Sequence, residues 1–252
     1  MIKLFKKKYL LVTLLLLALL MVVGCSGDDG GSTKNEDLNL ITLEDDFSDS
    51  TTGWSRITKE DYNCAYVDNK YQISIEQDKA DKVESVWAYA PLDSRLTSDY
   101  SAQVDLVSMK NMGAFGFIFN YTESDYYYFR INPIAQEYAV HRVTSNDFKT
   151  VIDWTSSAKI EEGIRIKISQ TGDQASFYIN GDQIDQASIE EHTDGVKVAL
   201  LASNYEAGDS TKAVTATFDN FKLNGYLKAN SQLSGLDLNL NDLNDHHMEN
   251  LE

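Results

Sequence analysis

The chain has little cysteine, proline or histidine, and its basic residues are outnumbered by its acidic ones. Its 252 residues include two cysteines, two prolines and four histidines, and its formal net charge is −17 at pH 7. Two cysteines exclude a disulfide framework and a zinc site built from several thiolates. The acidic balance argues against nucleic-acid binding, because phosphate contacts need clustered Lys and Arg. The sequence also has no glycine-rich phosphate loop and no Gly-x-Ser-x-Gly elbow.

Long apolar runs are scarce as well, and the one at the N-terminus is short. It spans Leu10–Val23 and follows a segment that carries four lysines and no acidic residue. A positive start, a short apolar core and small residues at its end are typical of a secretory signal peptide. Because a membrane-spanning helix takes about 20 apolar residues, residues 1–24 are predicted to be a signal peptide rather than an anchor.

The end of this segment, Val22-Val23-Gly24-Cys25, resembles the lipobox of bacterial lipoproteins. The resemblance implies that the Cys25 thiol receives a diacylglyceryl group and that cleavage leaves Cys25 as the first mature residue. Two acyl chains anchor a protein stably where one holds only weakly. The implied partner is therefore the membrane, and the implied location is the bacterial cell membrane or cell surface, outside the cytoplasm. An ordinary signal peptide with a chance cysteine is the alternative.

Composition divides the mature chain into three parts. Residues 25–44 are rich in Gly, Ser, Asp and Asn and are predicted to be a flexible acidic linker. Residues 45–225 are predicted to form one domain, and residues 226–252 a poorly ordered acidic tail. The string Asp-Leu-Asn-Leu occurs at 37–40 and again at 237–240. In so biased a composition this repeat is interpreted as coincidence.

Within 45–225, apolar and polar residues alternate in one segment after another. In segment 114–121, Phe115, Phe117, Phe119 and Tyr121 are predicted to share one buried face. One apolar face per strand indicates antiparallel sheets that are each covered on one side. Asn180-Gly181 is a strong hairpin signal. Asp219-Asn220 shifts the alternation between Phe218 and Phe221, which predicts a β-bulge. About a dozen strands at short spacing predict an all-β sandwich of two packed antiparallel sheets.

Three segments, taken in order, resemble one known group of proteins. They are DDFSDSTTGW at 45–54, GAFGFIFNYTESDYYYFRIN at 113–132, and FYINGDQI…DGVKVAL at 177–200 followed by FDNFKL at 218–223. They are similar to the concanavalin A-like jelly-roll domains of the laminin-G and glucanase superfamily, including its keto-disaccharide hydrolase-like branch. The resemblance implies a jelly-roll β-sandwich.

Candidate ligand-binding residues follow from the same alternation. The side chains between the buried rows are expected to stay in contact with water, as a platform of rings that stack on sugars and polar groups that hold sugar hydroxyls. Stabilisation of cross-strand pairs is their alternative role. Trp154 is interpreted as a cover over the core. The predicted ligand-binding residues are Trp87, Tyr89, Asn120, Tyr126, Tyr128, Arg130 and His141.

Catalysis has weaker support in the sequence. Glycoside hydrolysis needs two carboxylates about 5–9 Å apart, and the glucanases of this superfamily carry them in Glu-x-Asp-x-x-Glu. This chain has no such string, and Glu123 and Asp125 are interpreted as solvated acids of a turn. No catalytic residue is predicted.

A structural calcium ion is the predicted cofactor. Calcium takes six to eight oxygen ligands, and sandwich modules of this kind often bind one where the first and last strands meet. Asp45 or Asp46 together with Asp219 would match that position, and solvated strand-end aspartates are the alternative. Cys64 has no partner once Cys25 is lipidated and is predicted to be a small buried apolar residue.

Together these patterns predict a membrane-anchored extracytoplasmic lipoprotein. Its sandwich is predicted to bind a carbohydrate or a cell-surface polymer without catalysis. Two alternatives stay open: a glycoside hydrolase-like enzyme, and a structural protein-interaction module of the cell envelope. The fold does not choose among them, because function depends on the site.

Overall fold

In the computed structural model of the chain, the described residues are 39–76, 85–111, 113–161, 163–204 and 213–228. Predictions on other residues, including the signal peptide at 1–24 and the lipidation of Cys25, lie outside this part. Every regular element in the described part is a strand, and none of it is a helix long and apolar enough to cross a membrane. The strands are β1 (Asn39–Asp45), β2 (Ile57–Thr58), β3 (Tyr62–Val67), β4 (Lys70–Ile75), β5 (Ser85–Tyr89), β6 (Leu96–Lys110), β7 (Ala114–Tyr121), β8 (Asp125–Asn132), β9 (Glu137–Thr144), β10 (Asp147–Ser156), β11 (Arg165–Thr171), β12 (Gln174–Ile179), β13 (Asp182–Ser188), β14 (Lys197–Ser203) and β15 (Val214–Leu227).

These strands form two antiparallel sheets. The nine-stranded sheet runs in the order β13-β12-β11-β6-β15-β4-β3-β2, and β1 pairs with the second half of β15. The six-stranded sheet runs in the order β10-β9-β8-β7-β14-β5. The predicted all-β class with two antiparallel sheets is therefore confirmed.

One apolar core fills the space between the facing sides of the two sheets. Three residues of the predicted β7 row, Phe115, Phe117 and Phe119, point into it and are buried. The same is true of Tyr127, Phe129 and Ile131 of β8, whereas Tyr121 lies outside the core. The core rings of β7 and β8 meet the opposite sheet at Phe177, whose centroid lies 4.9 Å from that of Phe129 and 5.7 Å from that of Phe119. Burial of a side chain such as Phe stabilises a fold by about 1.5–3 kcal/mol relative to exposure. The alternation read from the sequence thus produces the main stabilising contact between the sheets.

Turns and bulges fall where the sequence predicts them in two places. Asn180 and Gly181 both have positive φ, at 53° and 89°, and they turn β12 into β13. Asn220 has a φ of 50°, and the pairing of β15 with β6 shifts register between Asp219 and Lys222. This shift is a β-bulge, which carries Phe221 as well as Phe218 into the core.

Strand β1 lies inside the segment that the sequence predicts to be a linker. It pairs residue by residue with β15, from Asn39 opposite Leu227 to Asp45 opposite Phe221. Ile41 and Leu43 are half-buried against the core. The predicted linker is therefore too long at its C-terminal end, because this short apolar alternation outweighs the polar composition around it. The predicted domain is likewise too short at residue 225, since β15 continues to Leu227.

Candidate ligand-binding face

The six-stranded sheet carries aromatic side chains on its outer side, the side turned away from the core. They form a second apolar cluster, separate from the core. Along the strands that supply them, side chains point alternately towards the core and towards this second cluster. An antiparallel sheet with one solvated face normally presents polar residues there. We call this surface the aromatic face; it consists of Trp87, Tyr89, Ile118, Tyr121, Tyr126, Tyr128, Val143, Phe148, Ala199 and Leu201, together with Arg130, His141 and Trp154, which contact these rings.

The register of the strands places these residues in rows across the sheet. One row joins Tyr89 to His141 through Ala199, Ile118 and Tyr128. The next row joins Trp87 to Arg130 through Leu201 and Gly116. At Gly116 a Cβ atom would lie 1.9 Å from the carbonyl oxygen of Phe129, so the backbone packing there requires glycine. The sequence predicted six of these positions correctly as residues of the outer side: Trp87, Tyr89, Tyr126, Tyr128, Arg130 and His141.

A bulge in β7 exchanges two residues between the sides of the sheet. Asn120 has a φ of 52°, and the pairing of β7 with β14 shifts register between Lys197 and Ala199. As a result Tyr121 lies on the aromatic face and Asn120 points inward, so the predicted side is wrong for both residues. The Asn120 amide donates to the Glu190 carbonyl at 2.7 Å and accepts from Gln170 Nε2 at 3.2 Å. Asn120 is therefore a structural residue of the interior in this fold.

The centre of the aromatic face is buried, contrary to the expectation that it stays in contact with water. Tyr126 and Tyr128 are each 7% exposed, His141 is 4% exposed and Arg130 is 2% exposed. The rings cover one another: the Tyr126 centroid lies 5.4 Å from that of Tyr128 and 6.3 Å from that of Trp87, although three strand steps separate β5 from β8. The half-buried rings around this centre are Trp87, Tyr89, Phe148 and Trp154.

Arg130 and His141 form the polar centre of the face. Arg130 Nη2 lies 3.0 Å from His141 Nδ1, and its guanidinium carbon lies 5.2 Å from the ring centre of Tyr128 and 5.6 Å from that of Trp154. Because Arg130 can only donate, Nδ1 must accept, and the imidazole is then neutral with its proton on Nε2. Burial, followed by the charge of Arg130, lowers the pKa of His141 to about 4.

The phenols of the face stay neutral at physiological pH. Burial raises the pKa of Tyr89 and of Tyr126, and the neighbouring phenols of Tyr121 and Tyr128 raise them further. The Lys197 ammonium lies 5.0 Å from the ring centre of Tyr89. The face therefore combines aromatic planes, neutral hydroxyl groups and cations, and none of the residues that compose it is a carboxylate.

Three aromatic residues of the face were missed or misassigned, and β10 explains two of them. The pairing of β10 with β9 shifts register twice, between Thr150 and Ile152 and between Ile152 and Thr155. A strand interrupted in this way has no clear period of two, so the sequence did not show that Phe148 and Trp154 share a side. Trp154 contacts Arg130 and is not a cover over the core. The third residue, Tyr121, was misassigned because of the bulge in β7.

The acids of the β7–β8 turn have structural roles. Asp125 is buried and accepts from Arg142, with Oδ1 3.0 Å from Nε and Oδ2 2.5 Å from Nη2, so its prediction as a solvated acid is wrong. Arg142 Nη2 also lies 3.1 Å from Glu190 Oε2. Glu123 is exposed, as predicted, and pairs with Arg95. The Asp125 carboxylate is therefore occupied by a guanidinium.

The aspartates of the predicted calcium site are engaged by other groups. Asp45 accepts from the Phe47 N–H at 2.7 Å and from Trp54 Nε1 at 3.0 Å, and Asp219 pairs with the Lys70 ammonium. Asp46 accepts from the Ser48 N–H at 3.0 Å. Within the described residues, no three His, Cys, Asp or Glu side chains are grouped to hold a metal ion. Calcium binding by Asp45 or Asp46 with Asp219 stays a prediction, which a lower Tm on adding EDTA would support.

Cys64 is buried, as predicted, and burial raises the pKa of its thiol to about 12. A thiol with so high a pKa is not a nucleophile near neutral pH.

The chain is similar to solved carbohydrate-related proteins in fold. The carbohydrate-binding module CBM66 from Bacillus subtilis is 14% identical with a TM-score of 0.50, and the match covers 68% of this chain and 95% of that one. A Bacillus subtilis protein of unknown function with a galectin-like fold is 10% identical with a TM-score of 0.51, over 74% of this chain and 96% of that one. The Crh5 transglycosylase, solved with NAG, is 10% identical with a TM-score of 0.51, over 75% and 85%.

No protein-family model matches the chain, and none of the curated proteins matches it. At these identities the structural likeness shows the fold alone. The fold is the predicted concanavalin A-like jelly-roll β-sandwich.

Proposed function

We propose that this chain is a membrane-anchored protein whose aromatic face binds a carbohydrate or a cell-surface polymer without turning it over. The observation that carries the proposal is the set of half-buried rings, Trp87, Tyr89, Phe148 and Trp154, around the buried pair Arg130 and His141. Aromatic rings stack on the apolar faces of sugars, and a few buried polar groups fix a ligand's orientation.

The half-buried rings make the first contact with the ligand. Tyr126 and Tyr128 are covered by their neighbours, so a sugar meets Trp87 and Trp154 before it reaches the centre. The Arg130 guanidinium lies beside Trp154, 5.6 Å from its ring centre. A guanidinium donates hydrogen bonds, so Arg130 can bind sugar hydroxyl oxygens that come within reach when a ring turns aside. Rotation of an exposed side chain is fast, and it costs less than rearrangement of the strands.

Binding is favoured over catalysis by the residues of the face itself. Glycoside hydrolysis requires two carboxylates across the scissile bond, whereas the aromatic face consists of rings, aliphatic groups, one arginine and one histidine. The nearby Asp125 is held by Arg142. The similar folds include both a binding module and a transglycosylase, so the fold alone supports either function.

The anchor in this proposal is Cys25. Thirteen residues separate Cys25 from Asn39, where β1 begins. At roughly 3.3 Å per residue, a segment of that length can span at most about 40 Å, which is long enough to hold the sandwich clear of lipid headgroups. We expect incorporation of labelled palmitate into the wild-type chain and none into Cys25→Ser, which should also move from the membrane fraction to the soluble fraction.

A glycan array probed with the mature chain carrying Cys25→Ser tests the binding proposal. We expect binding to at least one class among plant, host and bacterial glycans, with no release of shorter products during incubation. Absence of binding across all three classes would contradict the proposal, and product release would favour the enzyme alternative.

Trp154→Ala localises any binding found. We expect it to weaken Kd at least tenfold, because it removes a stacking surface beside Arg130. The matched control is Tyr178→Ala on the outer side of the nine-stranded sheet, where a half-buried ring lies under Lys167 at 5.1 Å much as Tyr89 lies under Lys197. An equal loss of affinity in the two variants would contradict binding at the aromatic face.

A further inference from the structure

Strand β1 has an open backbone edge. Among the described strands it pairs only with β15, so its other side lies at the edge of the nine-stranded sheet. An open edge pairs readily with another extended segment. The edge strands β10 and β13 carry register shifts, β2 has two residues and β5 has five, whereas β1 has seven residues and regular pairing. It is the longest regular edge strand in the described part of the chain.

The outer side of β1 is apolar at its start, at Leu40, and polar farther along, at Thr42 and Glu44. Leu40 is 66% exposed, the highest value among the large apolar side chains in the described part, and it lies opposite Tyr226, which is 37% exposed. Natural edge strands usually carry charged residues or bulges that prevent further pairing. The uncharged pair of Leu40 and Tyr226 therefore makes the start of this edge a place where a further strand can add.

The Asp-Leu-Asn-Leu repeat, which composition alone leads one to interpret as coincidence, continues beyond four residues and covers the whole of β1. Residues 37–45 read DLNLITLED and residues 237–245 read DLNLNDLND, so six of nine positions are identical. Leucines 238, 240 and 243 have the spacing of leucines 38, 40 and 43. Since residues 39–45 form a strand, the copy at 237–245 carries a sequence that this fold already accepts as an edge strand.

We propose that residues 237–243 add to the open edge of β1 as a parallel strand, with Leu240 beside Leu40 and Leu243 beside Leu43. β15 ends at Leu227, opposite Asn39, so the tail leaves the domain at the end where β1 begins. The nine residues 228–236 can span about 30 Å, and the tail must cross two strand spacings, about 10 Å. A connection this short gives an effective concentration on the order of millimolar, which favours pairing within one chain over pairing between chains.

The copy suits the edge position and not the position of β1 itself. In place of Ile41, which packs against the core, it has Asn241, and in place of Glu44, which pairs with Lys222, it has Asn244. Burial of an amide without a hydrogen-bond partner is unfavourable. At the outer edge, by contrast, Leu240 covers the exposed Leu40 and the polar residues stay in water. This inference is independent of the proposed function, because the aromatic face belongs to the other sheet.

A pair of introduced cysteines tests the contact. In the full chain with Cys25→Ser and Cys64→Ala, we expect Leu40→Cys with Leu240→Cys to form an intramolecular disulfide at least tenfold faster under mild oxidation than Leu40→Cys with Leu251→Cys. Equal rates would overturn the proposal. Disulfide-linked dimers would also overturn it, because they would place the tail of one copy on another.

Hydrogen exchange provides a second readout without new cysteines. Leu238→Asp together with Leu240→Asp should speed exchange of the β1 amides at least tenfold and leave the amides of β8 unchanged. The matched control is Leu251→Asp, a leucine of the tail outside the repeat. Unchanged exchange in β1, or the same change in the control, would contradict strand addition.

Discussion

The outer faces of the two sheets differ, although both sheets follow the same alternation of side chains. On the nine-stranded sheet the outer residues form polar cross-strand pairs. Arg165 binds Asp105 through two hydrogen bonds of 2.6 and 2.8 Å, and Gln72 Nε2 lies 3.2 Å from Thr217 Oγ1. On the six-stranded sheet the equivalent positions hold aromatic rings, and β7 and β8 are buried at every residue.

This difference shows which apolar surface the fold requires and which apolar surface is additional to it. A sandwich requires one apolar side per sheet, and the nine-stranded sheet meets that requirement with a polar outer side. The six-stranded sheet buries a second apolar cluster that does not join the two sheets. Contiguous apolar surface outside the core is typical of binding sites. The comparison therefore supports the proposal that the aromatic face is the ligand-binding region.

The largest effect is expected at Gly116, the centre of the aromatic face. Gly116→Ala places a Cβ atom 1.9 Å from the Phe129 carbonyl oxygen, which the paired strands cannot accommodate without separating. We expect a loss of more than about 4 kcal/mol in the free energy of unfolding, or failure to fold. Urea denaturation followed by circular dichroism measures it.

Gly172 on the nine-stranded side is the control for that substitution. It also has a positive φ, 55°, but an added Cβ meets no atom within 4 Å. Gly172→Ala should therefore cost only about 1 kcal/mol, from backbone strain alone. Similar losses of unfolding free energy at the two glycines would show that the close approach to the Phe129 carbonyl does not determine the cost at Gly116.

A smaller difference is expected between two arginines, one on each outer face. Arg130→Met leaves His141 Nδ1 without its donor and removes the contacts with Tyr128 and Trp154, and we expect a loss of about 2–3 kcal/mol. Arg165→Met breaks a partly exposed ion pair with Asp105 and should cost about 1 kcal/mol or less. Denaturation at pH 7 compares them. Equal losses would contradict the view that the Arg130 centre is a packed unit.

The smallest effect is a pH dependence confined to the aromatic face. The pKa of His141 is lowered from 6.5 to about 4, so between these values the unfolded chain binds more protons than the folded one. Stability from this group is therefore present above pH 6.5 and is lost as the pH falls towards 4. His141→Asn keeps an acceptor for Arg130 without a titrating ring, and its stability should fall less over this interval. Parallel pH profiles for the two chains would contradict the shifted pKa.

The sequence predicted the fold correctly where the structure depends on neighbouring residues along the chain. The rows of β7 and β8 that enter the core follow from the period of two alone, as do the turn at Asn180-Gly181 and the bulge after Asp219. The prediction failed at Asn120 and Tyr121, because the register of β7 against β14 decides which of the two turns outward. No local pattern reports that register.

The exposure of the face was also beyond local reasoning. Tyr128 and Arg130 alternate with core residues, so their outward direction is predictable, but the rings that cover them come from other strands. Trp154 belongs to β10 and Trp87 to β5, at the two edges of the sheet. Whether these two rings come close to Tyr128 and Arg130 depends on the order of the strands in the sheet. The strand β1 was missed although its signal is local. The alternation of Ile41 and Leu43 is short, and the polar composition around it indicated a linker instead.

The three tryptophans offer the most direct test of the ligand-binding face. Trp54 lies in the core, whereas Trp87 and Trp154 lie on the aromatic face. Their indole N–H signals can be followed by NMR while a glycan that binds the chain is titrated. If the ligand binds at the aromatic face, we expect the indole N–H signals of Trp87 and Trp154 to shift and that of Trp54 to stay unchanged. Saturating binding that leaves Trp87 and Trp154 unshifted would contradict it.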